Sequence, residues 1–213
     1  MHGGVTRVTT PLPATTTDDP RAGSTTGDRI VRSALAAFAD RGVDATSLDA
    51  VADDVGVRKQ TLLYWFPSKE ALLVAVIDHA VGELSDRLAM AVREAEVTDR
   101  DAVVAVVDAT FRLGSTDPAL LALVREVARV GGLPLTHLGT ALEPLLDRST
   151  AALAVTSSRD AVSLRAVLVD AGARVVGMAT EAELRERLGH PADAGWLRAR
   201  RRALLADLRD RLG

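Results

Sequence analysis

Gly42, Gly56 and Pro67 follow one another closely, and each ends a helix. The segments they bound can each hold only two turns or so, and isolated helices shorter than about 12–15 residues are marginal in water. Such pieces persist only when packed together, so the spacing predicts a small core of short helices early in the chain. Ile30, Ala34, Ala37 and Phe38 recur at i, i+4, i+7 and i+8, the stripe of an amphipathic helix ending at Gly42. In the next piece Thr46 and Asp49 have the form of a capping box with a shortened acid, ahead of an apolar face of Leu48, Val51, Ala52 and Val55. A third helix starts near Arg58 and ends before Pro67, because the residue preceding a proline avoids the helical region. Ser68 then caps a long helix running from Lys69 to about Glu96, with Leu72, Ala75, Val76 and His79 on one side.

Helical periodicity continues to the end, with no strand-like alternation and no internal repeat. Thr98 and Asp101 open a helix through Thr110 and Leu113; Asp117-Pro118 opens another, which Gly131-Gly132 stops. A segment from Pro134 to about Thr156 carries a possible kink at Pro144. Residues 159–180, a short piece at 181–188 and a last helix at 194–212 complete the chain. The expected fold is therefore all-α, with nine or ten helices and a division near residues 70–75. Residues 1–24, rich in Thr, Pro and Gly, bury too little to offset the entropy of ordering and read as a flexible arm. Such an arm is either bland or a nucleic-acid contact, and Arg7 and Arg21 are too sparse to favour the second.

Composition narrows the function. A net charge of −3 excludes a general polyanion binder, so any nucleic-acid contact must come from a local basic cluster. Without cysteine there is no disulfide framework and no thiolate metal site, and no apolar run is long enough to cross a membrane. The absence of a signal-peptide core points to the cytosol.

One local cluster stands out. GVRKQTLLYWF, residues 56–66, holds one of two lysines, the only Tyr and one of two Trp of a chain with 3% aromatics. Three helices in about fifty residues, the last two short and joined by a Gly-containing turn, have the form of a helix-turn-helix. On the third helix Leu62 and Phe66 turn inward with Val55 and Val57, while Gln60, Thr61, Leu63 and Tyr64 turn largely outward. Arg58 and Lys59 sit at its N-terminus, where free N–H groups and the helix dipole favour phosphate.

The stretch FADRGVDATSLDAVADDVGVRKQTLLYWFPSKEALL resembles the N-terminal domain of TetR-family transcriptional regulators. Phe38, Gly42, Thr46, Ser47, Val51, Ala52, Gly56, Val57, Thr61, Leu62, Phe66, Ser68, Lys69 and Leu72 all fall in the family's register, over about 50 of 213 residues. The resemblance implies a DNA-binding domain at 25–75 and a helical effector-binding and dimerisation domain at 76–213. It implies a homodimer that reads an inverted repeat in double-stranded DNA and is released by a small-molecule effector. By position, Thr46 and Ser47 would hold phosphate at the second helix and Lys69 at the fourth. Arg58, Lys59, Gln60 and Thr61 would face base edges, where Arg or Lys donates to guanine and Gln pairs with adenine. The family's usual Tyr is replaced by Leu63, so Tyr64 or Trp65 takes its contact, or Leu63 meets a thymine methyl.

The remaining sequence is apolar helix with little chemistry. Leu164, Leu168, Ala171, Val175 and Met178 form one stripe, and Leu197, Leu204, Leu208 and Leu212 another; these two helices are the candidates for a two-fold interface. A pocket between helices would draw on Phe111, Arg112, Leu123, Arg125, His137, Leu142 and Met178, with the effector unspecified. A helical metal protein or enzyme built on His79 and Glu83, i and i+4 on one helix, is the alternative, but two ligands do not close a site. No catalytic motif is present, and neither cofactor nor metal is expected.

Overall fold

A computed structural model describes residues 25–94, 101–116, 118–155 and 159–212. The segment at 1–24 read as an arm lies outside them. The described residues form helices and no strand: α1 (Thr26–Arg41), α2 (Leu48–Val55), α3 (Lys59–Trp65), α4 (Lys69–Glu94), α5 (Asp101–Thr116), α6 (Pro118–Val130), α7 (Gly132–Ala154), α8 (Ala161–Arg187) and α9 (Ala194–Leu212).

The early stops act as expected. Gly42 follows α1 at φ 85, and Gly56 closes α2 in the left-handed region at φ 75, ψ 34, a conformation natural to glycine alone. One cap is not foreseen in the sequence and another differs from its reading. α1 has a full capping box, with the Thr25 hydroxyl accepting from the Asp28 N–H and the Asp28 carboxylate accepting from the Thr25 N–H. α2 is capped by Ser47, whose Oγ accepts from the Ala50 N–H at 3.1 Å, so Thr46 lies one residue outside the helix. Further on, the piece expected at 181–188 is not separate: α8 runs through it, since no Pro or left-handed Gly interrupts the chain before Gly189. α7 likewise continues through Pro144.

Two apolar clusters hold the molecule together. The first gathers Ile30, Phe38, Val51, Leu62 and Leu72 of the small head with Ile77 of α4, Val127 of α6 and Leu138 of α7. The head is thus cemented to the body by shared core, not hung from α4 alone. The second joins α5, α6, α7, α8 and α9 through Val107, Leu121, Leu153, Leu164, Leu168 and Leu204. Fully burying one such aliphatic side chain stabilises by about 1.5–3 kcal/mol, which is why helices of seven or eight residues persist here.

Candidate nucleic-acid interface and internal cavity

α3 is anchored by one side chain. Leu62 is wholly buried, and Val57 and Phe66 pack partly buried beside it. That fixes the opposite face outward: Arg58, Lys59, Gln60, Thr61 and Tyr64 are exposed together, and Leu63 is half-buried. Lys59 is engaged in the free protein, its Nζ 2.8 Å from the Asp49 carboxylate of α2. An exposed pair of this kind is worth about 0–1 kcal/mol, so it holds the Lys59 ammonium only weakly.

The two aromatics divide their roles. Trp65 lies over Gly27 of α1, where even a Cβ would come within 3.0 Å of its ring. It also meets Tyr64 edge-on, with ring centroids 6.1 Å apart. Tyr64 itself is 84% exposed. Trp65 is therefore a strut between α3 and the start of α1, and Tyr64 is the aromatic left exposed on the outer face. Tyr64→Ala is expected to weaken DNA binding several-fold, the loss of about one hydrogen bond, with the melting temperature unchanged. Trp65→Ala is expected to destabilise by about 2 kcal/mol, less than a fully buried tryptophan would. Paired binding titrations and thermal melts distinguish the two.

Three assignments made by position acquire different surroundings. Thr46 is 1% exposed, and its hydroxyl donates to the carbonyls of Gly42 at 2.8 Å and Ala37 at 3.3 Å, so it points away from any phosphate. The Lys69 ammonium donates to the carbonyls of Val43, Asp44 and Thr46 at 2.8, 3.3 and 3.1 Å, tying the α1–α2 turn to the start of α4. Ser47 is exposed beside α3, its oxygen serving as the α2 cap.

That turn is gripped from its other side as well. Glu126 of α6 accepts from the Val43 N–H at 2.6 Å, and Arg129 bridges Glu126 and Asp44 at 2.8 Å to each. The hydrogen bond from Arg129 holds the Glu126 carboxyl below the usual carboxylate range, with the Val43 N–H adding to it against the opposing effect of burial. Sequence reasoning missed this clamp, because its partners lie 83 residues apart and neither belongs to a local motif.

The body encloses a cavity of about 440 Å³ between α4, α5, α6, α7 and α8. Leu123 and Leu142 line it as expected. The other expected lining residues lie elsewhere. Phe111 and Met178 pack in and against the second core cluster. Arg112 pairs with Asp108, Arg125 with Glu183, and His137 Nε2 donates to the Asp78 carboxylate at 2.7 Å. Long charged side chains pair at the surface sooner than enter an aliphatic void, which a linear sequence does not reveal.

The stripes assigned to a two-fold interface are also placed differently. Leu164, Leu168, Ala171, Val175, Leu204 and Leu208 are buried within the single chain, and Leu197 packs partly buried against them. They are intrachain core, and so unavailable to a second copy. On its opposite face α8 exposes the uncharged Val162, Ala166, Val169, Ala173, Gly177, Thr180 and Leu184, and toward its end the charged Glu183, Glu186 and Arg187 are exposed too.

His79 and Glu83 face one another, 3.6 Å apart, and Glu83 also meets Arg87. Among the described residues no three His, Cys, Asp or Glu side chains gather as metal ligands, and no helix is long and apolar enough to span a membrane.

A small three-helix head presenting one basic and polar helix face is set on a helical body with an apolar cavity, and the head has the helix-turn-helix form. The model of the tetR family of bacterial regulatory proteins matches residues 30–76 of this chain. Over 63 residues the chain is 44% identical to the HTH-type transcriptional regulator RutR of Escherichia coli, covering 30% of each chain. Over 45 residues it is 38% identical to IcaR, the negative transcriptional regulator of the icaADBC biofilm operon of Staphylococcus aureus, covering 21% of this chain and 24% of that one. The chain thus aligns with less than a third of the length of these relatives. The likeness of fold extends further. The transcriptional regulator FadR from Bacillus subtilis, solved in complex with stearoyl-CoA, superposes with a TM-score of 0.70 at 16% identity, over 87% of this chain and 99% of that one.

Proposed function

We propose that the protein is a homodimeric transcriptional regulator of the cytoplasm, a repressor released from its DNA operator by a small molecule, with no enzymatic step of its own. The observation that carries this reading is the single exposed face of Arg58, Lys59, Gln60, Thr61 and Tyr64 on α3, inside the segment matched to the family. A major groove admits one helix, and these side chains offer the donors and acceptors that base edges require. Residues 25–75 act as the reading head and 76–213 as the effector and dimerisation body. IcaR's description as a negative regulator supports repression.

The dimer is assigned to the exposed α8 stripe running from Val162 through Val169, Ala173 and Gly177, joined by Ala199, Ala203 and Ala206, exposed on α9. Small side chains there let two helix pairs approach closely. Release follows from population shift: the effector must bind the DNA-incompetent arrangement more tightly than the competent one. α4 and α6 both line the cavity and both enter the head's core, so both convey that preference.

Selection of bound sequences from random DNA tests the reading and is expected to return an inverted repeat, with half-sites about one helical turn, roughly 34 Å, apart. Recovery of no enriched motif at any salt concentration removes it. On the selected site, Lys59→Ala is expected to relax preference at one position by about 1–3 kcal/mol. Equal losses on matched and scrambled DNA would instead make Lys59 a phosphate contact.

A further inference from the structure

The cavity wall specifies the chemistry of what it holds. Among its described lining residues only Thr110, Glu143 and Ser149 have polar side chains, and none is aromatic. The rest are Leu, Val, Ile, Ala and Gly, from five helices. A flat cation would need aromatic faces, and a polar body would leave its hydrogen bonds unmade against such walls. We propose that the cavity binds a molecule with an aliphatic body and an uncharged, hydrogen-bond-donating head, and discriminates against carboxylates. The assignment rests on the reading of the protein as a ligand-responsive regulator and adds the class of ligand.

The entrance accounts for the head group. The exposed lining residues are Gly139 and Glu143 on α7 and Val169 and Ala173 on α8, which marks the opening between those helices. Beside it Arg165 of α8 is shared between two carboxylates, donating to Glu143 and, at 2.6 Å, to Asp147. One guanidinium between two acids leaves the rim acidic. Arg148, the neighbouring cation, is drawn toward α4 by the Ser85 hydroxyl at 2.8 Å. An entering carboxylate would lose water beside like charge, with no lining cation to receive it. A hydroxyl can donate to Glu143 or to Ser149 instead.

Size sets the body. At about 30 Å³ for each water-sized group, a void of 440 Å³ holds on the order of 15 non-hydrogen atoms. The wall also has room to be altered: a Cβ at Gly172 meets nothing within 4 Å, so a larger side chain there enters space, not structure. Val169 and Ala173 lie both on the rim and on the proposed two-fold face, so a ligand at the rim bears directly on how two protomers meet.

Calorimetric titration of the full chain with decan-1-ol and with decanoate, near neutral pH, tests the assignment. The alcohol is expected to bind at least about tenfold more tightly than the carboxylate. Glu143→Gln should narrow that preference, and Gly172→Leu should weaken the alcohol by about tenfold or more while still melting cooperatively. Decanoate binding as tightly as the alcohol, no binding of either, or alcohol binding unchanged by Gly172→Leu would each overturn the proposal. Selection from random DNA on the same preparation separates the two failures. An inverted repeat recovered without alcohol binding removes only the ligand class, whereas alcohol binding without any enriched DNA removes the regulator reading beneath it.

Discussion

Lys69→Met is expected to lower stability by about 3 kcal/mol and to leave the salt dependence of DNA binding unchanged. The ammonium donates to three carbonyls of the α1–α2 turn, those of Val43, Asp44 and Thr46. Charge-assisted hydrogen bonds are the stronger kind, roughly 1.5–3 kcal/mol each, but three on one group do not add in full. Removing them leaves carbonyls unsatisfied on the turn that sets the start of α2, and hence the angle at which α3 stands. The family pattern by itself implies a different result, because a lysine bound to phosphate contributes about one unit to the slope of log K against log salt. Urea denaturation and a salt series on one operator therefore decide the matter. Unchanged stability together with a slope reduced by about one would assign Lys69 to DNA and refute the internal role.

The case of Lys69 marks where sequence ceases to be sufficient. Helix stops were legible because Gly and Pro act through their own backbone, and Gly42, Gly56 and Pro67 fall where the structure ends its early helices. The face of α3 was legible for a similar reason: in a seven-residue helix with one buried Leu62, periodicity alone orients the rest. Partners distant in sequence were not legible. Trp65 reads as a DNA-facing aromatic until Gly27, far upstream, is seen beneath it. Leu164, Leu168 and Leu204 read correctly as buried stripes, but a stripe states only that it is covered, not whether the cover is the same chain or another. Thr46 and Ser47 are adjacent cap-forming residues, and only the observed hydrogen bonds choose Ser47. A cavity, being the absence of atoms, has no motif at all. Of the seven residues expected to line it, Leu123 and Leu142 do so, since aliphatic side chains are what such a wall can contain.

The second large effect is expected at the opposite grip on the same turn. Glu126→Ala should destabilise by about 2 kcal/mol, because it leaves the Val43 N–H without its acceptor and removes the carboxylate that orients Arg129. The effect should depend on pH with a definite sign. Glu126 titrates lower in the folded protein than its ordinary value of 4.5, so its ionised form stabilises the fold. That contribution is complete above about pH 4.5 and disappears as pH falls through the lowered folded value. The difference in melting temperature between wild type and Glu126→Gln should accordingly be widest near neutrality and shrink in acid. A difference that stays constant from neutral pH into acid would show that the ionised carboxylate is not what holds the turn. The position of the grip gives it a functional consequence. Val127, the next residue along α6, lines the cavity and packs into the head's core, so whatever displaces α6 from within also pulls on Glu126. A ligand that moves α6 must then break or carry along the hydrogen bond to Val43, and α2 and α3 with it. Glu126→Gln, keeping the shape but weakening the bond, should therefore reduce the extent to which ligand lowers operator affinity, measurable by titrating DNA with and without decan-1-ol. An undiminished response would leave α4 as the conveying helix.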